Sequence, residues 1–349
     1  MRWPHREEHR VLQPDADPDV ARAVAVVTGP DVGHALALAA DLTATAPLPG
    51  SGRTLARWDL LARLAAADLT TARVVEAHLD AVAILAEAHA AGVETPAAAP
   101  GTTWGVFAAE GPGVRLDAHE TPSGWQVTGD KPWCSLAGRL THALVTAHDG
   151  DERRLLAVDL HAPGVTVHEG TWHARGLTDV PSGPVTFDAV PAEPVGDPGW
   201  YLRRAGFAHG GIGVAAAWFG GAVGVARALW RAAERRPPDQ VALMHLGDAD
   251  LDLHAAATVM RAAAADVDAG RADGDAGIVL ALRARSAVVR AAEAVLHRVA
   301  HGLGPAPLAL DDAHARRVAD LTVYLRQHHA ERDSAALGRA LLDAGSPPW

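Results

Sequence analysis

TPSGWQVTGDKPWCS, Thr121–Ser135, is the stretch where the chain changes character. Gly124 to Thr128 reads as strand, with Trp125 and Val127 on one face. Gly129-Asp130 is a hairpin signal, because both residues accept positive φ at low cost. Trp133, Cys134 and Ser135 then begin a second strand. A hairpin explains the turn. It does not explain an aromatic beside a small hydroxyl just beyond it, and Trp125 reads as core.

On either side the pattern differs. Upstream, about 18–95, the sequence is Ala/Leu-rich at helical spacing: Val74, Val75, His78, Leu79, Val82, Leu85 and Ala86 recur at three and four, and Gly92 ends that helix. Pro47 to Gly52 is a loop between earlier helices. The middle, about 101–196, is rich in Gly and Pro. Its runs HALVTA, RLLAVDL, GVTVHE and GPVTFDAV alternate as antiparallel strands do. Downstream, helical pattern returns over 203–234, 240–270, 276–301 and 311–342, with Asp311 or Asp312 as N-cap of the last. Four long helices with short joins predict an antiparallel bundle. The expected fold class is therefore α+β in three domains. These are an N-terminal helical domain (1–100), a middle antiparallel β-sheet or barrel (101–198) and a C-terminal four-helix bundle (199–349).

The bulk numbers narrow the function. The 349 residues suffice for a large core, and 49% hydrophobic against 21% charged is a globular balance. A net charge of −11 argues against a nucleic-acid partner. Cys134 is the single cysteine, so no intrachain disulfide forms, in keeping with a reducing cytoplasm. The first residues, MRWPHREEHRVLQPDADPD, hold no apolar signal core. Phe207–Leu229 is long enough to span a bilayer, but its Gly/Ala content with His209 and Arg227 reads as a helix buried in a tight bundle. No membrane association is expected.

The order helix bundle, β domain, helix bundle resembles the acyl-CoA dehydrogenase family of flavoproteins, and several motifs carry the likeness. GWQVTGDKPWCSLAGRLTHALVTA is similar to its middle-domain signature, and PGVTVHEGTWHARGLTDVPSGPVTFDAVPAEPVG to its Pro-Gly-Val … Val-x-Phe-Asp-x-Val-Pro run. AHGLGPAPLALDDAHARRVADL is similar to the Gly-Gly-x-Gly … Arg-x-x-Arg-Asp segment. The likeness covers about 100–335. It implies FAD as cofactor, with Trp133 packed on the isoalloxazine, Cys134 beside it, and Ser135 donating to its reactive edge. It also implies that His301, Gly302 and Gly304, with Arg235 or Arg236, approach the dinucleotide of a neighbouring subunit. A homodimer or homotetramer follows from that sharing. Taken alone, Gly302 reads as a helix C-cap and the arginines as solvated.

Three departures bear on the reaction. The family's Thr-Glu-Pro-x-x-Gly-Ser-Asp loop is here WGVFAAEGPGVRLDAH, which leaves Phe107 and Ala109 to line the flavin. The arginine expected early in the first C-terminal helix for CoA is missing from AHGGIGVAAAWFGG. The base, in many members a glutamate eight residues beyond the Arg-Asp pair, is His328 counting from Asp320. Glu331 follows one helical turn later, on a similar face. Some flavin monooxygenases of this fold carry a histidine in that region.

The resemblance thus implies an FAD-dependent oxidoreductase acting on the CH–CH bond of an acyl thioester or related carbonyl compound, with His328 or Glu331 as base. A flavin monooxygenase of the same fold, fed by a flavin reductase or other electron-transfer partner, is the nearer alternative. A flavin-less paralogue serving as a partner subunit is the further one. His297 and His301 sit four apart, but no third ligand accompanies them, so no metal is expected.

Overall fold

The computed structural model describes residues 11–13, 17–93, 95–96, 98–347 and 349. Four helices come first: α1 (Pro18–Ala25), α2 (Val32–Leu42), α3 (Thr54–Ala67) and α4 (Leu69–Ala90). The Asp68 carboxylate starts α4 by accepting from Thr71 N–H at 2.7 Å, and Gly92 follows its end at φ 77°.

Seven strands follow: β1 (Trp104–Phe107), β2 (Leu116–Thr121), β3 (Gly124–Ser135), β4 (His142–Asp149), β5 (Glu152–Asp159), β6 (Val165–Val167) and β7 (Ser182–Pro194). The pairings β4–β2–β3–β7–β5 return to β4, so the sheet closes into a small barrel. β1 joins β4 in parallel, as does β2 at Asp117↔His148; the other pairings are antiparallel.

The turn expected at Gly129-Asp130 is not there. β2 turns into β3 at Pro122-Ser123, and β3 runs on without a break through 129–130. Gly129, at φ 123°, sits instead at a register shift against β7, where a Cβ would lie 2.3 Å from Arg115 O. The positive φ that suggested a turn serves a bulge.

The remaining chain is helical: α5 (Trp200–Arg203), α6 (Ala205–Arg235), α7 (Gln240–Asp268), α8 (Gly274–Leu303), α9 (Ala306–Leu310), α10 (Asp312–Tyr324) and α11 (Glu331–Asp343). The segment expected as one helix over 311–342 is two. α10 passes through a 3₁₀ turn at Leu325–Gln327, and Ala330 (φ 50°) precedes α11. Asp311 caps α10 through His314 N–H at 3.0 Å. Gly302 lies inside α8, and Gly304 (φ 67°) is the residue that ends it.

α6 is about 46 Å long at 1.5 Å per residue. It is the one described helix long and apolar enough to cross a membrane, yet 72% of its most apolar window is buried within the protein. Its small residues are spent on close packing: a Cβ on Gly220 would lie 1.9 Å from Ala62 O of α3. A second tight seam joins sheet to helices. A Cβ on Gly176 would meet Ala319 O at 2.1 Å, and Asp320 Oδ1 accepts from Leu177 N–H at 2.6 Å. That clamp fixes the loop leading into Ser182 and β7.

Candidate functional site

The end of β3 gathers the first part of the site. A second shift in the β3/β7 register falls between Lys131 and Cys134. It breaks the strand's alternation, so that Cys134 and Ser135 both point inward and Trp133 points out. Trp133 holds φ 60°, a region that costs an L-residue about 1–2 kcal/mol. Its neighbours fix the bulge. Lys131 is buried, with Nζ donating to Glu110 Oε1 (3.0 Å) and Thr146 Oγ1 (2.9 Å). Burial pulls the Lys131 ammonium down, and the hydrogen bond to Glu110 opposes it. Cys134 donates its Sγ–H to Lys131 O at 3.3 Å, and burial pushes its thiol up to about 12. It is an inert structural cysteine.

Ser135 faces a polar cluster built largely on α4. Its Oγ lies 2.7 Å from Ser182 Oγ and accepts from Arg73 Nη2 at 3.1 Å. Arg73 Nη1 pairs with Glu76 Oε2 at 2.9 Å, and Tyr324 Oη donates to the same oxygen at 2.9 Å. Residues 73 and 76 are three apart and so share a face of α4. Burial raises the carboxyl pKa of Glu76, and Arg73 opposes that rise. Burial and then Glu76 push the Tyr324 hydroxyl well up. Asp80, one turn further along α4, is also raised by burial, and Gly210 of α6 leaves the space its carboxylate uses.

Trp218 of α6 links this cluster to the chain break after α10. Its ring meets those of Tyr324 and His328 edge-on, each at 6.3 Å, and Arg285 stacks on it with Cζ 4.8 Å from the ring centroid. Arg285 donates to Gly211 O and Gln327 O. The Trp218 indole N–H is buried without an acceptor. His328 Nδ1 accepts from Ala330 N–H at 3.0 Å, which assigns the proton to Nε2, where Ser286 Oγ (3.2 Å) and Asp333 Oδ2 (3.4 Å) lie. Burial lowers its pKa, with Asp333 opposing. The ring is thus held neutral.

The expected site residues separate into groups. Ser135, His328 and, at the rim, Trp133 adjoin one region; Trp133 is 57% exposed. Phe107 is buried in the core and Ala109 is exposed. Glu331 does not share a helical face with His328: it opens α11, beyond the break, and is exposed. Arg235 ends α6 in solvent, while His301 stacks near His297, with ring centroids 3.9 Å apart, at the end of α8. Gly302 abuts Leu229 and His245. These last residues belong to another face of the molecule. Sequence reasoning missed Arg73, Glu76, Trp218, Arg285 and Tyr324. Arg73 and Glu76 stand three apart on α4, a spacing that on its own reads as an ordinary surface ion pair.

The groups at the end of β3 are of the kind a flavin ring can meet, an aromatic face and hydroxyl donors. Trp133 exposes its indole from a costly backbone conformation, and two residues along the strand the Ser135 hydroxyl meets that of Ser182. Four cavities of about 430–810 Å³ lie elsewhere and are lined by none of Trp133, Cys134 and Ser135.

No family model matches the chain, and no curated protein matches it. Solved structures do. FMN-bound TdsC, a dibenzothiophene monooxygenase from Paenibacillus sp. A11-2, superposes with TM-score 0.76 at 18% identity, covering 96% of this chain and 98% of that one. Butyryl-CoA dehydrogenase from Megasphaera elsdenii gives 0.73 at 17%, over 88% and 90%. Nitrososynthase from Micromonospora carbonacea var. africana gives 0.71 at 22%, over 94% and 97%. The chain has the acyl-CoA dehydrogenase fold.

Proposed function

We propose that the chain is a flavin-dependent oxidoreductase whose site is the cluster of Arg73, Glu76, Ser135 and Tyr324 with Trp133 at its rim, and that it is a monooxygenase working with reduced flavin. One observation carries the choice of reaction: the two groups closest to the role of base, Glu76 and His328, are both engaged. Glu76 is engaged by Arg73 and Tyr324 Oη, and His328 spends Nδ1 on a backbone N–H while its protonated Nε2 faces Ser286 and Asp333. Bound flavin would supply the redox chemistry, accepting a hydride from substrate or passing electrons to oxygen. The protein's part is electrostatic. Arg73 places a fixed positive charge against the Ser135 hydroxyl, and Tyr324 holds a proton next to Glu76. The missing CoA arginine in α6 agrees, since the nearby Arg204 is paired with Glu87 at 2.7 Å.

The second reading is acyl dehydrogenation, favoured by burial of Glu76: a carboxyl with a raised pKa suits a base once Arg73 swings away. Because Trp133 is open to solvent, a homodimer in which a second copy covers the flavin's outer face completes either reading. FAD is the cofactor the resemblance implies; the FMN-bound neighbours make FMN the parallel candidate.

The test is titration of the purified protein with FMN and FAD, oxidised and reduced, followed by anaerobic addition of acyl-CoA thioesters. The monooxygenase reading expects tighter binding of the reduced form and no bleaching. Bleaching of bound flavin by an acyl-CoA establishes dehydrogenation instead. Failure to bind any flavin removes both and leaves the flavin-less partner subunit.

A further inference from the structure

A cavity of about 770 Å³ opens between the α3–α4 junction, the C-terminal half of α6 and α10, away from the cluster around Ser135. Arg227, Arg231, Arg316 and Arg317 all line it. Asp68, Asp312 and Asp320 share the wall, so the lining keeps an excess of one positive charge in a chain of net charge −11.

The four arginines are not equally committed. Arg316 is paired with Asp179 and Asp320. Arg227 and Arg317 each give one N–H to the carbonyl end of α3, at Ala66 O (3.3 Å) and Ala67 O (2.8 Å), and make no ion pair among the described residues. Arg231 has neither. Burial, then Arg317, Arg231 and Arg63, depress Arg227, with no acid opposing. The aspartates on the wall are occupied or peripheral: Asp68 caps α4, Asp320 serves Leu177 and Arg316, and Asp312 is exposed at the mouth.

A buried imidazole lies on α10 between these residues, although it is not part of the cavity wall. His314, one turn before Arg317, is 2% exposed, and its Nδ1 has no partner. Burial, Arg231 and Arg317 lower its pKa against the opposing Asp311. At the rim, Trp230 leaves 59% of its surface open with its indole N–H tied to Glu234 Oε1 at 2.9 Å. Arg227 and Arg231 without an ion pair among the described residues, Arg317 with Asp68, Asp311 and Asp320 acting on it only through space, and the open face of Trp230 describe a receptor for an anion carrying several oxygens.

We infer that this cavity binds a phosphate or diphosphate group, held by Arg227, Arg231 and Arg317, with Trp230 placed for a ring attached to it. The group could come from a free nucleotide or from the flavin phosphate itself.

Isothermal titration of the full-length protein with sodium pyrophosphate, in low and moderate salt, tests this without reference to flavin. We expect saturable binding that weakens as salt rises, and at least a tenfold loss in Arg231→Ala. Arg231→Lys, which keeps charge but not the fork, falls between. Arg271→Ala, on an exposed pair with Asp266, binds as wild type. No binding at millimolar pyrophosphate, or equal affinity in Arg231→Ala and wild type when both melt alike, overturns the proposal. ADP, and FMN against riboflavin, then identify the source. If Arg231→Ala weakens FMN but not riboflavin, the phosphate is the flavin's. If only ADP responds, a nucleotide site separate from the flavin is established.

Discussion

Replacing Arg73 by methionine removes the positive partner from a buried carboxylate, and the arrangement around Glu76 sets the cost. Both side chains are nearly closed to solvent, 12% and 7% exposed, and Glu76 keeps Tyr324 Oη as its remaining donor. Breaking one side of such a pair costs about 3–5 kcal/mol, because an uncompensated charge stays buried. Replacing Glu76 by methionine as well removes that charge. The remaining penalty is the Tyr324 hydroxyl without its acceptor, about 1–3 kcal/mol. The double variant should therefore be more stable than Arg73→Met alone, measured as urea midpoints at constant slope. The pH dependence has a definite sign. Burial holds the Glu76 pKa above its unfolded value, and loss of Arg73 raises it further. The penalty is therefore full above the folded pKa and vanishes below the unfolded value of about 4.3. The gap between Arg73→Met and wild type should narrow from pH 7.5 to pH 5. A double variant less stable than the single by the full sum of both changes, or a gap unchanged with pH, would refute an ion pair in which Arg73 neutralises Glu76.

Three further expectations can be checked with the same preparations. Trp133→Ala should leave stability within about 0.5 kcal/mol, because the indole is exposed, yet weaken flavin retention in a dialysis assay. Gly220→Ala forces a Cβ to within 1.9 Å of Ala62 O, so α3 and α6 must part; a loss of at least about 1–3 kcal/mol should appear as a clear drop in melting temperature. His78 accepts from Trp104 N–H through Nδ1, and burial lowers its pKa to about 4. Its contribution is complete above its unfolded value near 6.5 and is lost as pH falls towards 4, at up to about 1.4 kcal/mol per unit. His78→Gln should flatten that limb of the stability profile.

The layer order was legible because the hydrophobic period changes twice, near 100 and near 200, and each zone of the structure keeps its expected period. The strand runs HALVTA and GPVTFDAV fall within β4 and β7. What was misread turned on single residues with more than one use. Gly129 takes a positive φ, and both a turn and a bulge need one; only the partner strand, β7, decides between them. The helix over 311–342 keeps its period across 325–330. Its break depends on His328 accepting a backbone N–H and on Ala330 adopting φ 50°, neither of which alanine or histidine advertises. Of the proposed site, the strand-borne half is the part the sequence points to, through Trp133 and Ser135. The half on α4 is not, because Arg73 and Glu76 look like an ordinary surface pair until α4 is seen to be enclosed by Ser135 and Tyr324.

The strands' return to β4 has a consequence for how copies of this chain can meet. Among the described strands the short β1 and β6 pair on one side alone, and the closed order of the others leaves little template for a strand from another molecule. α7, by contrast, turns Val241, Leu243, Met244 and Leu251 to solvent. Self-association of this chain would therefore be written in side chains on helices, where it can be redesigned residue by residue, and not in backbone hydrogen bonds, where it could not.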